Sequence, residues 1–320
     1  MKSIFIIACA LLAAAGVPAD AQTFPAKPVR LVVPFPPGGP ADGLGRLLAE
    51  KLKQSWGESV IVENRGGAGG NIGAEAVAKA APDGYTLLLN ASNHVINSAL
   101  LEKMPFDPIK DFTPITEVAS YMLVLVVHPS VAANSLREFV ALGRSKPKSL
   151  LIANAGNGTP THLTAALFAQ AAGIEPVHVP YKGAAPANTD LLGGQVHAMF
   201  NNPVNALPQV KAGRLRALAV TGSKRTGLMP DLPTVAESGY PGFEARTWYG
   251  LFGPAGIPRE VAARIHEHIL RALRSKDVQD KLAPQGWDLV GSSQSDFAAF
   301  LAAETDKWTR VVKGAGIKPD

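Results

Sequence analysis

The sequence has 320 residues and a formal net charge of +5 at pH 7, and 47% of its residues are hydrophobic. That length is enough for two ordinary domains with buried cores. Lys and Arg residues are scattered rather than gathered into runs, and they do not alternate with aromatic residues. This distribution excludes a nucleic-acid-binding protein and leaves a mild attraction for small anions.

The first 21 residues have the organisation of a secretory signal peptide. Lys2 precedes an apolar run at 4–15, and an A-x-A cleavage sequence stands at 19–21. The run is too short to span a bilayer, which takes about 20 residues. We expect export to the periplasm, with cleavage leaving Gln22 as the first residue; the alternative is a buried N-terminal helix. Cys9 is the only cysteine, so the mature chain has no disulfide and no thiol nucleophile.

After residue 28, short apolar runs alternate with segments of helical periodicity. The first block predicts strands at 29–35, 60–64 and 86–90 and helices at about 43–52, 74–80 and 95–101. The pattern restarts with strands at 123–129, 149–155, 176–181, 196–202 and 215–222 and helices at 136–144 and 162–172. A third block opens with TWYGLFGPAG at 247–256, and helices follow at 259–273 and 294–312. Continuous apolar strands separated by helices predict parallel sheets covered on both faces.

The order of these elements predicts an α/β fold with two doubly wound lobes. We assign residues 22–120 and 246–320 to lobe 1 and residues 121–245 to lobe 2, because the C-terminal helices are too few to form a domain alone. The chain then crosses between the lobes near Ser120 and again near Ala245. Two crossings make a hinge, and a cleft between lobes is where ligands bind.

Two loops in equivalent positions indicate where a ligand binds. Residues 34–48 and 153–167 each run from a strand through a glycine-containing loop into a helix. Ligands of open α/β sheets bind beyond the carboxyl ends of the strands, and a helix that begins there offers free N–H groups to an anion. The loop residues that allow close backbone approach, or that add a hydroxyl or an amide, are Gly38, Gly39, Gly156, Gly158, Thr159, Asn154, Asn157 and Asn202. Alternatively, the glycines only close tight turns.

Three polar side chains near these loops have two interpretations each. Asp42 stands just before the first predicted helix, where it either caps the helix or contacts a ligand. His162 is better explained as a packed or capping residue than as a base. His94 follows the third strand, and both a core position and a cleft position remain open.

The familiar enzyme motifs do not fit this sequence. Residues 38–43 have the glycine spacing of a phosphate loop, but Leu44 stands where its lysine should be. Residues 66–73 do not fit the dinucleotide fingerprint, and the sequence has no G-x-S-x-G, no H-E-x-x-H and no metal-ligand spacing. We therefore expect no catalytic residue, no metal site and no cofactor. The alternative is a secreted α/β hydrolytic enzyme that acts on a small anionic substrate.

The string KPVRLVVPFPPGGPADGLGR resembles the opening signature of the Bug family, the extracytoplasmic solute receptors of tripartite tricarboxylate transporters. The resemblance continues through VENRGGAGGNIGAEAVAKAAPDGYTLLL, HVPYKGAAPANTDLLGGQVHAMF and LPTVAESGYPGFEARTWYGLFGPAGIP, and it covers nearly the whole mature chain. It implies a two-lobed periplasmic receptor of the Venus-flytrap kind, type 2-like, for small carboxylates. Such a receptor, which we expect to be a monomer, serves the membrane components of a transporter or a sensor kinase.

The resemblance also implies a site. In this family a ligand carboxylate is held between the loop after the first strand and a loop of the second lobe, partly through waters. The matching positions here are 35–41 and 156–159, with Ala184, Ala185 and Asp190, and the loop around Asn71 lies alongside. Together with the residues argued above, the predicted ligand set is Phe35, Pro37, Gly38, Gly39, Ala41, Asn71, Asn93, His94, Asn154, Gly158, Thr159, Ala184, Asp190 and Asn202.

Two segments depart from the family pattern. After the third strand the family often shows G-T-H-A-x-N-P, where this chain has SNHVINS at 92–98. The second-lobe loop carries Asn154 and Asn157 in place of serine or glycine. Both departures fall where the distal end of a ligand would lie, so they leave its identity open.

Overall fold

The computed structural model describes residues 24–317, so the predicted signal peptide lies outside the described residues. The strands are β1 (Val29–Val33), β2 (Val60–Asn64), β3 (Thr86–Ala91), β4 (Phe112–Met122), β5 (Val124–Val127), β6 (Leu151–Asn154), β7 (Val177–Pro180), β8 (Ala198–Asn201), β9 (Arg216–Val220), β10 (Arg246–Pro254) and β11 (Asp288–Leu289). The α-helices are α1 (Pro40–Trp56), α2 (Asn71–Ala78), α3 (Asn93–Leu100), α4 (Leu136–Ser145), α5 (Pro160–Ala172), α6 (Ala184–Leu192), α7 (Pro203–Lys211), α8 (Arg259–Arg274), α9 (Lys276–Leu282) and α10 (Gln294–Ala315).

The strands form two sheets, here named sheet A and sheet B. Sheet A has the order β11-β4-β10-β3-β1-β2, and sheet B has the order β7-β6-β8-β5-β9. In sheet A, β1 lies between β2 and β3 and runs parallel to both. In sheet B, β6 lies between β7 and β8 in the same way. The predicted fold class, α/β with two doubly wound units, is confirmed.

The expectation of purely parallel sheets is wrong. β10 runs antiparallel to β3 and β4, and β5 runs antiparallel to β8 and β9. Each of these two strands enters its sheet directly after the chain has left the other sheet. The helical crossover that enforces parallel pairing is therefore missing at these two places.

The chain passes between the sheets at two adjacent places. β4 of sheet A ends at Met122 and β5 of sheet B follows at Val124, while the return passage precedes Arg246 at the start of β10. Thr221 lies against both passages. Its N–H donates to the carbonyl of Leu123, and the N–H of Ala245 donates to the carbonyl of Thr221, each at 2.9 Å.

The C-terminal helices pack mainly on sheet A. α8 contacts α1 and β4, and α10 contacts β4 and α3. The indole N–H groups of Trp248 and Trp308 both donate to Glu304, at 3.0 and 2.8 Å. The last turns of α10 reach α5, where Gln170 donates to the carbonyl of Val311 at 3.2 Å. Within residues 24–317, no helix is both long enough and apolar enough to cross a bilayer.

Candidate functional site

The loop between β1 and α1 brings glycine backbone to the start of a helix. α1 begins at Pro40, earlier than predicted, and its N-cap is Gly39, which has no side chain to cap the first N–H groups. Gly38 has a φ of +83°, a conformation that favours glycine, whereas Gly39 is extended at φ −83°. The first turn of α1 therefore offers uncapped N–H groups and the positive end of the helix dipole.

Asp42 shapes this loop from the first turn of α1. Because the helix already begins at Pro40, the expectation that Asp42 is the N-cap is wrong. Its carboxylate accepts hydrogen bonds from Gly38 N–H at 2.9 Å, from Arg46 Nε at 3.0 Å and from Asn64 Nδ2 at 2.9 Å. The hydrogen bonds from Arg46 and Gly38 lower the pKa of Asp42 to about 2. Asn64 also donates to the carbonyl of Phe35 at 3.1 Å, so the network fixes both ends of the loop.

The loop between β6 and α5 repeats this arrangement in sheet B. α5 begins at Pro160 with Thr159 as its N-cap, and Gly156 and Gly158 have φ values of +127° and +69°. The hydroxyl of Thr159 donates to the carbonyl of Gly156 at 2.7 Å. Gly158 N–H donates to His162 Nδ1 at 3.2 Å, so His162 supports the loop from within the helix. A Cβ on Gly158 would lie 2.5 Å from Cδ1 of Leu100, so the end of that side chain would have to move.

Two buried polar side chains beside these loops keep an unpaired atom. Asn154, fully buried at the end of β6, accepts from Gly156 N–H at 2.9 Å, and this bond fixes the orientation of its amide. Its Nδ2 then has no hydrogen-bond partner within residues 24–317, and the same holds for the hydroxyl of Ser92, which follows β3. Buried polar atoms without partners are rare, and both lie at carboxyl ends of strands. Asn154 and Ser92 are therefore candidate ligand contacts.

His94 lies in the core, which favours the first of its two interpretations. Its side chain is 1% exposed, and its ring stacks on Phe252 with 4.3 Å between centroids. Nε2 donates to the carbonyl of Pro108 at 2.8 Å, which leaves Nδ1 to accept from Asn90 at 3.1 Å. Burial lowers the pKa of His94 to about 4. Both ring nitrogens are thus used inside the protein.

Asn71, Asp190 and Asn202 also make internal hydrogen bonds. Asn71 Oδ1 accepts from Asn97 at 2.9 Å, and Asn202 Oδ1 caps α7 by accepting from Val204 N–H at 2.8 Å. Asp190 accepts from the hydroxyl of Tyr181 at 2.8 Å. Burial and this bond raise the pKa of Tyr181 to about 12. These oxygens hold the loops in place, which is a supporting role.

A cavity of about 400 Å³ joins three parts of the chain. One wall is the start of α1 with Gly38 and Gly39, and a second is the start of α7 with Asn202. The structure therefore brings these three predicted residues together across the two sheets. The third wall is formed by the last turn of α9 and the segment that follows it, with Lys281 and Trp287. The sequence did not predict this wall, because these residues belong to no local motif.

The other predicted residues are not among those that line this cavity. Phe35 is half-buried and Pro37 is exposed in the loop before α1, while Ala41 is buried in the core. Asn93 is half-buried at the start of α3. Ala184, at the start of α6, lines a separate groove of about 570 Å³ between α6 and α7.

The described residues offer hydrogen-bond donors for an anion. These donors are helix N-termini, side-chain amides and a hydroxyl. In the part of the chain that the structure describes, no cluster of three His, Asp or Glu side chains is placed to hold a metal ion. Two doubly wound sheets joined by two adjacent passages, with helix starts from both around a shared cavity, define a two-lobed solute-binding protein.

Comparison with known proteins identifies the family. Residues 44–317 match the family described as Tripartite tricarboxylate transporter family receptor. The chain belongs to this family, and the resemblance to the Bug receptors is confirmed.

Individual relatives extend over nearly the whole chain. Protein BugT of Bordetella pertussis is 39% identical over 311 residues, which cover 96% of this chain and 95% of BugT. The structure of R. palustris Rpa4515 with adipate is 36% identical with a TM-score of 0.78, and the match covers 93% of this chain and all of that one. MatC from Rhodopseudomonas palustris with bound malate is 34% identical with a TM-score of 0.75, and the match covers 90% of this chain and all of that one.

Proposed function

We propose that this protein is a periplasmic receptor that binds a small carboxylate between its two sheets, without catalysis, and presents it to the membrane components of a tripartite tricarboxylate transporter. One observation carries the proposal. α1 and α5 each begin directly after a glycine-containing loop, and neither loop contains a lysine or an arginine. Backbone N–H groups and helix dipoles are suited to a carboxylate in such a site.

The relatives support a carboxylate ligand. Rpa4515 was solved with adipate and MatC with malate, and both ligands are small dicarboxylates. Each match covers at least nine-tenths of this chain and all of the relative. A ligand of similar size and charge is therefore the best candidate for this receptor.

The proposed ligand set follows from which polar atoms remain available. We retain residues at the strand ends and loops that face the cleft and add Ser92, so that the set is Phe35, Pro37, Gly38, Gly39, Ser92, Asn93, Asn154, Gly158, Thr159, Ala184 and Asn202. We assign His94, Asn71 and Asp190 to supporting roles, because each makes internal hydrogen bonds and none of them lines the cavity, whereas Asn202 does. Ala41 is left out because it is buried in the core.

The proposed lobes are those of the sequence prediction, residues 22–120 with 246–320 and residues 121–245. The strand content of the two sheets supports them, although β4 continues in sheet A to Met122 and so favours a first crossing at Leu123. Closure of the lobes should reduce the radius of gyration measured by solution scattering when ligand is added. Scattering also reports the mass, which we propose is that of a monomer.

The periplasmic location is open to a direct test. N-terminal sequencing of the exported protein should give a chain that begins at Gln22. A protein that retains Met1 in the cytoplasmic fraction would contradict the proposed export.

Calorimetric titration with a small acid and its methyl ester tests the function. Esterification removes the charge and leaves N–H donors unpaired, at about 1–3 kcal/mol each, so binding should weaken by about 30-fold or more for two donors. Equal affinity for acid and ester would contradict the carboxylate site. The ester should also be recovered intact, and its hydrolysis would favour the secreted enzyme instead.

A further inference from the structure

Lys281 is a cation that has no acidic partner among residues 24–317. It lies in the last turn of α9 and is exposed, and within residues 24–317 no carboxylate lies within 4.0 Å of its ammonium group. The two acids of the same helix are already paired, Asp280 with Lys276 at 2.6 Å and Asp277 with Lys51. The charge of Lys281 is therefore available to an anion from solution.

The cavity beside Lys281 is the one that contains the start of α1. Gly38 and Gly39 form one wall of this space of about 400 Å³, and Lys281 and Gln285 form another. That volume lies within the usual range for small-ligand pockets, about 300–1,000 Å³. One cavity thus contains two different groups for anions, the uncapped helix start and the lysine.

Apolar side chains line the same cavity. Leu44 and Leu47 of α1 line the cavity, and so does Trp287. The indole of Trp287 is held by Tyr121 and Tyr249, with 5.2 and 5.1 Å between ring centroids. This lining suits a ligand with an anionic group at each end and methylene groups between them.

We propose that Lys281 is a specificity-determining residue that pairs with the second carboxylate of the ligand, so that this receptor prefers α,ω-dicarboxylates to monocarboxylates. The inference rests on the proposed function, since the first carboxylate binds at the start of α1. It assigns a ligand-binding role to the C-terminal segment, for which the sequence pattern predicted only packing on lobe 1.

Two other cations are less suited to this role. Arg246 is committed to Glu117, to which both of its terminal nitrogens donate, and its Nη1 also donates to Ser120 at 3.0 Å. Lys182 is exposed in the loop before α6 and is not among the residues that line the cavity. Lys281 therefore fits the role better than either of them.

The test compares diacids with monoacids of the same carbon number, such as adipate with hexanoate, across chains of about four to eight carbons. In the wild-type protein the diacid of the best pair should bind more tightly. Lys281→Met should weaken diacid binding by about 10-fold or more, because a charge-assisted hydrogen bond is lost, and should leave the monoacid unchanged. Lys281→Arg keeps the charge and should retain most of the preference.

Lys276→Met is the matched control. It removes the same charge from the same helix, but Lys276 pairs with Asp280 and is not among the cavity-lining residues, so both affinities should stay at wild-type values. The proposal is overturned if the wild-type protein shows no preference for diacids. It is also overturned if Lys281→Met leaves that preference intact, or if Lys276→Met reduces it equally. If neither acid of any pair binds, the proposed function fails as well.

Discussion

The hydroxyl of Thr221 donates a hydrogen bond of 2.5 Å to the backbone carbonyl of Ala245. The same oxygen accepts from the N–H of Leu123 at 2.8 Å, and Thr221 is fully buried. One side chain therefore holds both passages between the sheets at a single point. A rotation of one sheet against the other has to be accommodated around Thr221.

Thr221→Val should destabilise the protein and loosen the hinge. The substitution leaves the N–H of Leu123 and the carbonyl of Ala245 without their side-chain partner, at about 1–3 kcal/mol for each buried group. Urea unfolding followed by tryptophan fluorescence measures the loss, and solution scattering of the ligand-free protein should show a broader range of sizes. Thr221→Ser keeps the hydroxyl and should cost only about 1 kcal/mol for the lost methyl group. Equal losses in the two variants would argue against the role of the hydroxyl.

Gly39→Val should prevent carboxylate binding without unfolding the protein. Gly39 is extended at φ −83°, and a Cβ there would meet only the carbonyl oxygen of Pro36, at 3.7 Å. The valine side chain would instead cover the first N–H groups of α1, so calorimetry should show a loss of about 100-fold or more. Gly227→Val, at an exposed glycine with open space around it, is the control and should bind normally. A folded Gly39→Val variant with wild-type affinity would mean that the loop is only a turn.

Asp42→Asn should lower the free energy of unfolding most at neutral pH. The pKa of Asp42 is lowered from 3.8 to about 2 in the folded state, so its carboxylate stabilises the fold above pH 4. We expect a loss of about 1–2 kcal/mol at pH 7, allowing for solvent screening of the Arg46 pair. The difference from wild type should shrink as the pH falls through 2. Asp288→Asn, at an exposed carboxylate, is the control, and an Asp42→Asn difference that persists at pH 2 would contradict the assignment.

His94 should make the protein less stable in mild acid. Burial lowers its pKa from 6.5 to about 4, so between these values the unfolded chain binds a proton that the folded chain does not. The free energy of unfolding should therefore fall by about 2–3 kcal/mol between pH 6.5 and pH 4 on account of this residue. His94→Phe loses two hydrogen bonds at every pH, but its stability should fall less steeply over that interval. Parallel curves for the two proteins would show that His94 titrates normally.

The sequence predicted most of the sheet strands because the central residues of each strand form a continuous apolar run. It missed β4, in which Pro114, Glu117 and Ser120 interrupt the pattern. Glu117 is buried there only because Arg246 of β10 pairs with it, and that contact lies far away in the sequence. It missed α7 because Pro208 stands inside the helix. The local sequence pattern cannot predict that a polar residue is buried when its burial depends on a partner far away in the sequence.

In the candidate site, too, the features visible in the local sequence were predicted and those that depend on distant contacts were not. The two glycine-containing loops were predicted, since a strand, a loop and a helix start are visible in the local sequence. The supporting network was not, because Asp42 and Asn64 meet only when β1 and β2 pair. The wall that contains Lys281 was missed for the same reason, as it reaches the start of α1 only through the packing of the C-terminal helices.

Sheet A has a strand order that constrains how the protein folds during synthesis. Every strand of sheet B lies between residues 124 and 220, whereas β10, which joins β3 to β4 in sheet A, is made later. As the chain emerges, sheet B has all its pairing partners while the centre of sheet A is still incomplete. Pairings between distant segments form slowly, because the loop between them must first close. Sheet A is therefore the last part of the protein to assemble, and a chain that stops before residue 246 has no means of completing it.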